Sequence, residues 1–511
     1  MTIQRFFAEH WEKKPLLVKR KERKVGDGNR LTKDLFSFAT FERLFSSNRP
    51  LFYTKNLNVC RYEDGEKKML NPEGSPASLK EVRKFWREGS TFQFFQPQQH
   101  SEVLHRMIAG LEQYFGALVG ANIYMTPPNA QGLAPHYDDV EVFILQLEGK
   151  KKWKLYSPPP SDELPREYSR DLDQDECGEP LMELELEEGD LLYFPRGTIH
   201  QACTGPSAST HVTISTYQRH TWGDFLAVAL PLAIKEAIEE DVEFRRGLPG
   251  EASQGKGKGK KASSGSKGQA AKQQQFESKM VSLLHRLSGH LLLHKAADIT
   301  SLDFVNHRLP PASLCYAAPQ EEAQTKKATK KKQSKEPQVQ EAQVLDDDSS
   351  IRLAEPNYIR LVVATAEDEE GPDAEQAGML LDEEAGSEED SEADEDQPKK
   401  ANGRCKQKVD VEEEESEEGE GADDEDEEDE DEGSVLLYHS LRNPAELHMS
   451  GHRNEPSLLR FPLNHLPALK HLVASYPSFV PVASLPGLDP TQAMHLAIAL
   501  GVEDLLQTSN K

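Results

Sequence analysis

Between Ala121 and Tyr217 the apolar residues come in short Val, Ile, Leu and Phe runs, cut by Pro127-Pro128, Gly149, Pro158-Pro159-Pro160, Gly178, Gly189 and Gly197. Runs of that length between turn-forming residues predict a succession of strands, and the regular punctuation predicts a closed barrel. Residues 1–120 read differently. Lys80 to Trp86 and Glu102 to Phe115 carry apolar positions at helical spacing, and Trp11, Phe36, Phe38, Phe41, Leu44 and Phe45 add packing surface, so supporting helices are predicted there. Downstream, 223–246 keeps a helical period with Pro231 as a kink or break, and Phe276 to His294 repeats it. A one-sided apolar stripe on such helices must be buried, against the rest of the chain or against another copy.

Towards the C-terminus, Ile351 to Ala364 predicts two short strands and Val435 to Arg442 another, followed by apolar helices at Leu466–Leu472 and Thr491–Leu506. The segments between these elements have another character. Gly255 to Ser266 is too rich in glycine and serine to order itself, and Lys326 to Lys335 is a second lysine tract. Each is either a solvated linker or a nuclear-import or nucleic-acid contact.

At 511 residues the chain is long enough for more than one domain. Its formal charge of -28 is concentrated: Glu367 to Glu432 holds 34 acidic and 5 basic residues, a net of -29, which leaves about +1 for everything else. That acidic tract has too little apolar area to order itself, so it is an expected disordered insertion in a loop, serving solubility or holding basic partners. Five cysteines without paired spacing suggest neither a zinc module nor a disulfide framework. The longest uncharged apolar run, Phe225 to Ile234, is too short to cross a membrane, so a soluble intracellular protein without a membrane partner is expected.

The candidate chemistry sits in Gly132-Leu-Ala-Pro-His136-Tyr-Asp138, at the start of an apolar run. On an extended strand residues two apart project to one face, so His136 and Asp138 can share one ion. His200, which follows the Pro195-Arg196-Gly197 break, is the third candidate ligand. Two imidazoles and one carboxylate on one side of a metal is the facial set of non-haem Fe(II) oxygenases, with open positions opposite. Lys151, beyond the Gly149 turn, is a cation suited to the far carboxylate of 2-oxoglutarate, and Lys150 and Lys152 should point to the other face of the strand.

These stretches, with Phe6 to Val18, Ala121-Asn122-Ile-Tyr124-Met-Thr126, Ser209 to Gln218 and Leu459 to Leu466, resemble the JmjC-domain ribosomal oxygenases, in particular the Mina-type bifunctional lysine demethylases and histidyl hydroxylases. The resemblance covers roughly residues 5–250 and 434–480. It implies an α+β fold: a JmjC/cupin double-stranded β-helix with flanking helices, a helical dimerisation region and a C-terminal winged-helix domain. The oxygenase domain would span 1–222, the dimerisation region 223–310 with a disordered linker at about 250–275, a basic linker 311–349, and the winged helix 350–511 with the acidic insertion at 366–433. Within the resemblance, His136, Asp138 and His200 hold Fe(II), and Lys151 pairs the 2-oxoglutarate carboxylate with help from Ser215. Asn122 and Tyr124 line the pocket, and Tyr168 stands on the substrate side in a loop two residues longer here than in the family. Thr91 to Pro97 would be a strand on the barrel's edge.

The implied activity is hydroxylation of a histidine in a large-subunit ribosomal protein, linked to ribosome biogenesis, by a nuclear and nucleolar homodimer. Two rivals stand beside it. A histone lysine demethylase with histone or chromatin contacts would use the same Fe(II) and 2-oxoglutarate. A non-catalytic assembly or chromatin scaffold would use only the acidic tract and the winged helix, which is not basic enough to imply DNA reading.

Overall fold

The computed structural model describes residues 2–20, 32, 34–47, 49–72, 76–159, 163–249, 266–316, 345–346, 349–364, 433–450 and 457–509. The expected acidic insertion, apart from Gly433, and most of the basic linker lie outside them. Helix α1 (Ile3–Glu9) and strand β1 (Leu16–Val18) precede α2 (Phe38–Leu44), the hairpin β2 (Leu57–Glu63) and β3 (Glu66–Met69), α3 (Leu79–Arg87), β4 (Thr91–Phe95) and α4 (Glu102–Phe115). The barrel strands are β5 (Val119–Thr126), β6 (Glu141–Tyr156), β7 (Met182–Glu187), β8 (Leu191–Phe194), β9 (Ile199–Cys203) and β10 (Ser209–Thr216).

The large sheet runs β1-β8-β6-β10-β5-β4-β2-β3, with β7 and β9 also paired to β6, and every pairing is antiparallel. This is the expected jelly-roll barrel with flanking helices. Strand alternation divides β5 cleanly: Ala121, Ile123 and Met125 enter a core with Leu104 and Ile108 of α4 and with Phe41, Phe92 and Phe94, while Tyr124 faces the barrel interior. Each such buried aliphatic or aromatic side chain contributes roughly 2 kcal/mol. β4 is not an edge strand. It lies between β5 and β2, with Phe94 opposite both Ile123 and Leu57, because the β2–β3 hairpin adds two strands outside it.

β6 serves two parts of the barrel. Its first half pairs with β8 and β10, its second with β7 and β9. Between them Thr210 pairs with Glu148 but His211 pairs with Gln146, so Leu147 is one extra residue on β6. That bulge reverses the inward parity: Val142 and Ile144 line the interior before it, Lys151 and Trp153 after it. Gly149 then turns the strand with φ +65, where an added Cβ would stand 1.9 Å from the Ala208 carbonyl oxygen. Only glycine fits there.

The N-terminal segment braces the same region. Trp11 stacks on Tyr193 at 6.0 Å, the Glu12 backbone N–H donates to the Tyr193 hydroxyl, and that hydroxyl donates to buried Glu141. Arg196 pairs with Glu12 at 2.7 Å and with Glu141 at 3.3 Å, which fixes the turn leading to His200.

Helices α5 (Trp222–Glu240), α6 (Ser266–Leu287), α7 (Leu293–His307) and α8 (Ala312–Cys315) follow. α5 runs through Pro231 as one helix. α6 begins inside the stretch expected to be linker, because from Ser266 the glycine-rich sequence gives way to Ala, Gln and Lys, which favour helix. α8 likewise takes the first residues of the expected basic linker into the fold. The C-terminal module contains β11 (Ser350–Leu353), β12 (Ile359–Ala364), β13 (Ser434–His439), β14 (Ser457–Pro462), α9 (Leu466–Ser475), β15 (Val480–Pro481), α10 (Pro490–Val502) and β16 (Leu506–Ser509). Two three-stranded sheets, β12-β13-β14 and β15-β11-β16, close over a core including Ile351, Val435, Leu469, Leu496 and Leu500. The helix expected to reach Leu506 stops at Val502, and Leu506 instead opens β16. No described helix is long and apolar enough to cross a membrane.

One polar network ties this module to the barrel. Buried Glu112 of α4 accepts from the Leu309 backbone N–H at 2.9 Å, the Val119 backbone N–H at 3.4 Å and His448 Nε2 at 2.8 Å. The Gln98 side-chain amide donates to His448 Nδ1 at 3.0 Å, so Nε2 carries the ring proton. Glu112→Ala leaves three buried donors without a partner and should lower unfolding stability by about 3 kcal/mol, measured by urea denaturation. A loss below about 1 kcal/mol, the size of a single ordinary hydrogen bond, would remove Glu112 as the anchor.

Candidate metal centre

His136 and His200 face each other across an isolated two-residue antiparallel bridge. The His136 N–H donates to the His200 carbonyl at 3.2 Å, and the His200 N–H donates to the His136 carbonyl at 2.8 Å. The Gly197 N–H adds a bond to the Asp138 carbonyl at 2.9 Å. The backbone therefore sets the three side chains together. His136 Nε2 lies 3.9 Å from Asp138 Oδ1, and His200 Nε2 lies 3.8 Å from Asp138 Oδ2. Those separations fall inside the roughly 4.2 Å that two ligand bonds of about 2.1 Å can span. One ligand atom from each of the three lies within 4.8 Å of the others, the one such His/Cys/Asp/Glu group among the described residues.

Each imidazole is oriented by its own chain. His136 Nδ1 donates to the Ala134 carbonyl at 2.8 Å and His200 Nδ1 to the Thr198 carbonyl at 3.0 Å. Both Nε2 lone pairs are thereby left for a ligand role, the tautomer a metal site needs. Burial, then the neighbouring His136, pushes His200 down to about 4, so it is neutral near pH 7.

The triad opens on a cavity that also reaches Tyr124, Val142, Ile144, Lys151, Trp153 and His211. Lys151 is 5% exposed while Lys150 and Lys152 face solvent, the pattern predicted for this strand. Lys150 pairs outside with Glu187 at 2.6 Å. Lys151 Nζ donates to the Thr126 hydroxyl at 3.2 Å and lies 6.0 Å from the Tyr124 ring and 5.7 Å from the Trp153 ring, with no carboxylate partner among the described residues. Burial pushes it down to about 8. Around it Trp153 Nε1 and His211 Nδ1 are buried without partners. Tyr124 accepts from the Gln93 side-chain amide at 2.9 Å and stacks on His211 at 5.1 Å. A buried ammonium beside an unpartnered indole N–H fits an anionic group such as a carboxylate.

The other predicted site residues are placed differently. Asn122 and Ser215 share the interior-facing parity of Tyr124 and Thr213, but Asn122 pairs with Thr213 and Ser215 with Gly120 and Val142, at the end of the strands away from Lys151. Thr126, which touches Lys151, pairs with Ser209, six positions before Ser215 and thus roughly 20 Å along the strand. The structure therefore does not bring Ser215 to the Lys151 ammonium; Thr126 stands there instead. Tyr168 is 59% exposed and outside the cavity lining, beside Ser169, whose N–H donates to the Tyr137 carbonyl at 2.9 Å. Thr126, Trp153 and His211 are lining or contact residues that sequence spacing alone did not single out; their strand parity would have found them once the bulge was known.

Comparison with known proteins adds the following. Residues 93–225 match the model of the JmjC domain, and 429–510 match that of the ribosomal oxygenase 1 C-terminal winged helix domain. The chain is similar to ribosomal oxygenase 2 of Bos taurus, 34% identical over 518 residues that cover 99% of this chain and 89% of that protein. It is 40% identical over 310 residues to ribosomal oxygenase 1 of Rattus norvegicus, covering 60% of this chain and 49% of that protein. A solved structure of YcfD, a ribosomal oxygenase from Escherichia coli, in complex with cobalt and 2-oxoglutarate aligns over 60% of this chain and 71% of that chain, at 15% identity and a TM-score of 0.34.

Lys151 makes the electrostatics of the cavity testable. Folding depresses the pKa of this base from 10.5 to about 8, so the ligand-free fold is penalised most below pH 8, and the penalty fades as pH rises towards 10.5. Lys151→Met should therefore stabilise the ligand-free protein by about 2–3 kcal/mol at pH 7, with the gain shrinking by pH 10. Melting temperatures of both proteins across that range check it; a gain independent of pH would rule out the buried charge as its source.

Proposed function

The chain belongs to the ribosomal oxygenase family, and from that membership we propose that it is an Fe(II)- and 2-oxoglutarate-dependent oxygenase that hydroxylates a histidine of a large-subunit ribosomal protein. The carrying observation is the backbone-bridged His136–Asp138–His200 cluster opening on the cavity that contains buried Lys151. When bound, Fe(II) and 2-oxoglutarate supply dioxygen activation, one oxygen atom going to the substrate carbon and the other into succinate, with loss of carbon dioxide.

The chain's own residues hold and orient. His136 Nε2, His200 Nε2 and an Asp138 carboxylate oxygen would take one side of the metal, leaving the cavity side open. Lys151 Nζ would receive the far carboxylate of 2-oxoglutarate, with the Tyr124 hydroxyl free to donate because it already accepts from Gln93. Trp153, Val142 and Ile144 exclude water from the reacting centre. Asn122, Thr213 and Ser215 continue the interior face towards the end remote from Lys151, where the substrate side chain would enter.

A lysine demethylase would need aromatic groups arranged around a methylammonium. Here Tyr124 is stacked on His211 and Tyr168 lies outside the cavity, so the arrangement favours histidine over methyl-lysine. The intact cluster favours an enzyme over a scaffold. A homodimer is supported by α5, where Leu226, Leu230, Ile234 and Ile238 recur every fourth residue and are all exposed, and by Phe276, Met280 and Leu284 on α6. Nucleolar residence follows from a ribosomal substrate together with the lysine tracts.

The purified protein should consume 2-oxoglutarate only with Fe(II) and add a single oxygen to one ribosomal-protein histidine, seen by mass spectrometry, and His136→Ala should reduce turnover by at least about a hundredfold. Formaldehyde release from methylated histone peptides, or turnover retained in His136→Ala, would overturn the reading. Ile234→Asp should convert a dimer into a monomer in light scattering, whereas an unchanged mass would remove the α5 stripe as the interface.

A further inference from the structure

The interior face of β5 and β10 does not end on barrel residues. Beyond the Asn122–Thr213 pair comes Gly120 opposite Ser215, and a Cβ built on Gly120 would stand 3.0 Å from Ser215 Oγ and 3.4 Å from Met449 Cε. Met449 belongs to the C-terminal module, 10 residues after β13 ends at His439. The missing side chain at Gly120 is what admits both neighbours. We infer that Met449 is a specificity-determining residue of the substrate site, an apolar wall that the winged-helix domain lays at the entrance of the oxygenase barrel.

Three observations carry this. The loop bearing Met449 is held in place from the barrel side: the Gln96 side-chain amide donates to the Met449 carbonyl at 3.0 Å and that of Gln99 to the Glu446 carbonyl at 3.2 Å. His448, one residue before, is locked between Gln98 and Glu112. The Asn443 side-chain amide donates to the Val305 and Arg308 carbonyls at 2.8 and 2.9 Å, so the start of the loop is held as well. Second, Met449 has φ 57, a left-handed backbone that L residues other than glycine adopt at a cost and that persists where the surroundings enforce it. Third, despite these restraints on its backbone Met449 is 36% exposed, so part of the residue is left for a visitor.

A flexible, polarizable thioether suits an apolar side chain next to the oxidised residue of an incoming peptide. Beside Met449 on the same interior face, Ser215 and then Asn122 are polar. A peptide with a polar target side chain flanked by an apolar residue matches both surfaces. This assignment rests on the proposed oxygenase reading.

The test uses the full chain with Fe(II), 2-oxoglutarate and a tiled set of synthetic peptides covering every histidine of the large-subunit ribosomal proteins. On the best peptide, Met449→Ala should raise the peptide KM three- to tenfold while changing kcat less than twofold, and Met449→Leu should return KM to within twofold of wild type. Replacing the apolar neighbours of the target histidine by glycine should abolish the difference between wild type and Met449→Ala. Wild-type turnover with a KM unmoved in Met449→Ala overturns this assignment alone, as does a KM effect that persists on the glycine-flanked peptide. A wild-type protein that oxidises none of the peptides overturns the functional reading and this assignment with it.

Discussion

Two backbone hydrogen bonds, each joining His136 to His200, are the constraint on which the site depends. They set side by side two short segments that lie 64 residues apart in the chain. Because the bonds run between main-chain groups, the imidazoles remain free to be aimed by their own Nδ1 contacts to Ala134 and Thr198. Asp138 is held by the same device, through the Gly197 N–H. A ligand set assembled by strand pairing loses little conformational freedom on binding an ion, which is the physical content of preorganisation here.

Lys151 works against the fold and for the site. A buried ammonium with one hydroxyl partner is unfavourable in an empty cavity, and the unpartnered ring nitrogens of Trp153 and His211 add to the imbalance. All three belong to strands paired on both sides and face the cavity. An anion entering the cavity relieves the imbalance, and its binding is strengthened by the same low-dielectric surroundings that made the empty state unfavourable. Local rules of polar burial are broken here, and functional sites are where such violations are expected.

How much of this was legible in the sequence follows from what each signal encodes. Spacing carries parity, so His136 with Asp138, and Lys151 against Lys150 and Lys152, could be read directly. Turn residues carry chain reversal, so the barrel and the Gly149 turn were visible too. Register across strands is not written in any one segment. The extra residue Leu147 lets Val142 and Lys151 share a face, and only the pairing of β6 with β10 reveals it. For the same reason Ser215 could be assigned to the right face and the wrong level. Resemblance supplies a residue's identity, whereas its height along the strand is set by pairing with Gly120 and Val142. β4 was misjudged because the polar β3, with all four residues exposed, carries none of the alternation by which a strand is recognised.

The C-terminal module meets the barrel through a directional polar network as well as through apolar contact such as Ala445 on the barrel core. Apolar surfaces tolerate sliding, because dispersion and burial are non-directional. A buried carboxylate does not: Glu112 is satisfied only when Leu309, Val119 and His448 present their N–H groups at once. Residues 112, 309 and 448 come from the supporting helix, the segment after α7 and the loop after β13, so a single side chain fixes three parts of the molecule in one arrangement. His448 can meet Glu112 only as the Nε2–H tautomer that Gln98 imposes, and Met449 follows it directly in the chain. The position of Met449 against Gly120 and Ser215 of the barrel is thus set by the desolvation of one carboxylate.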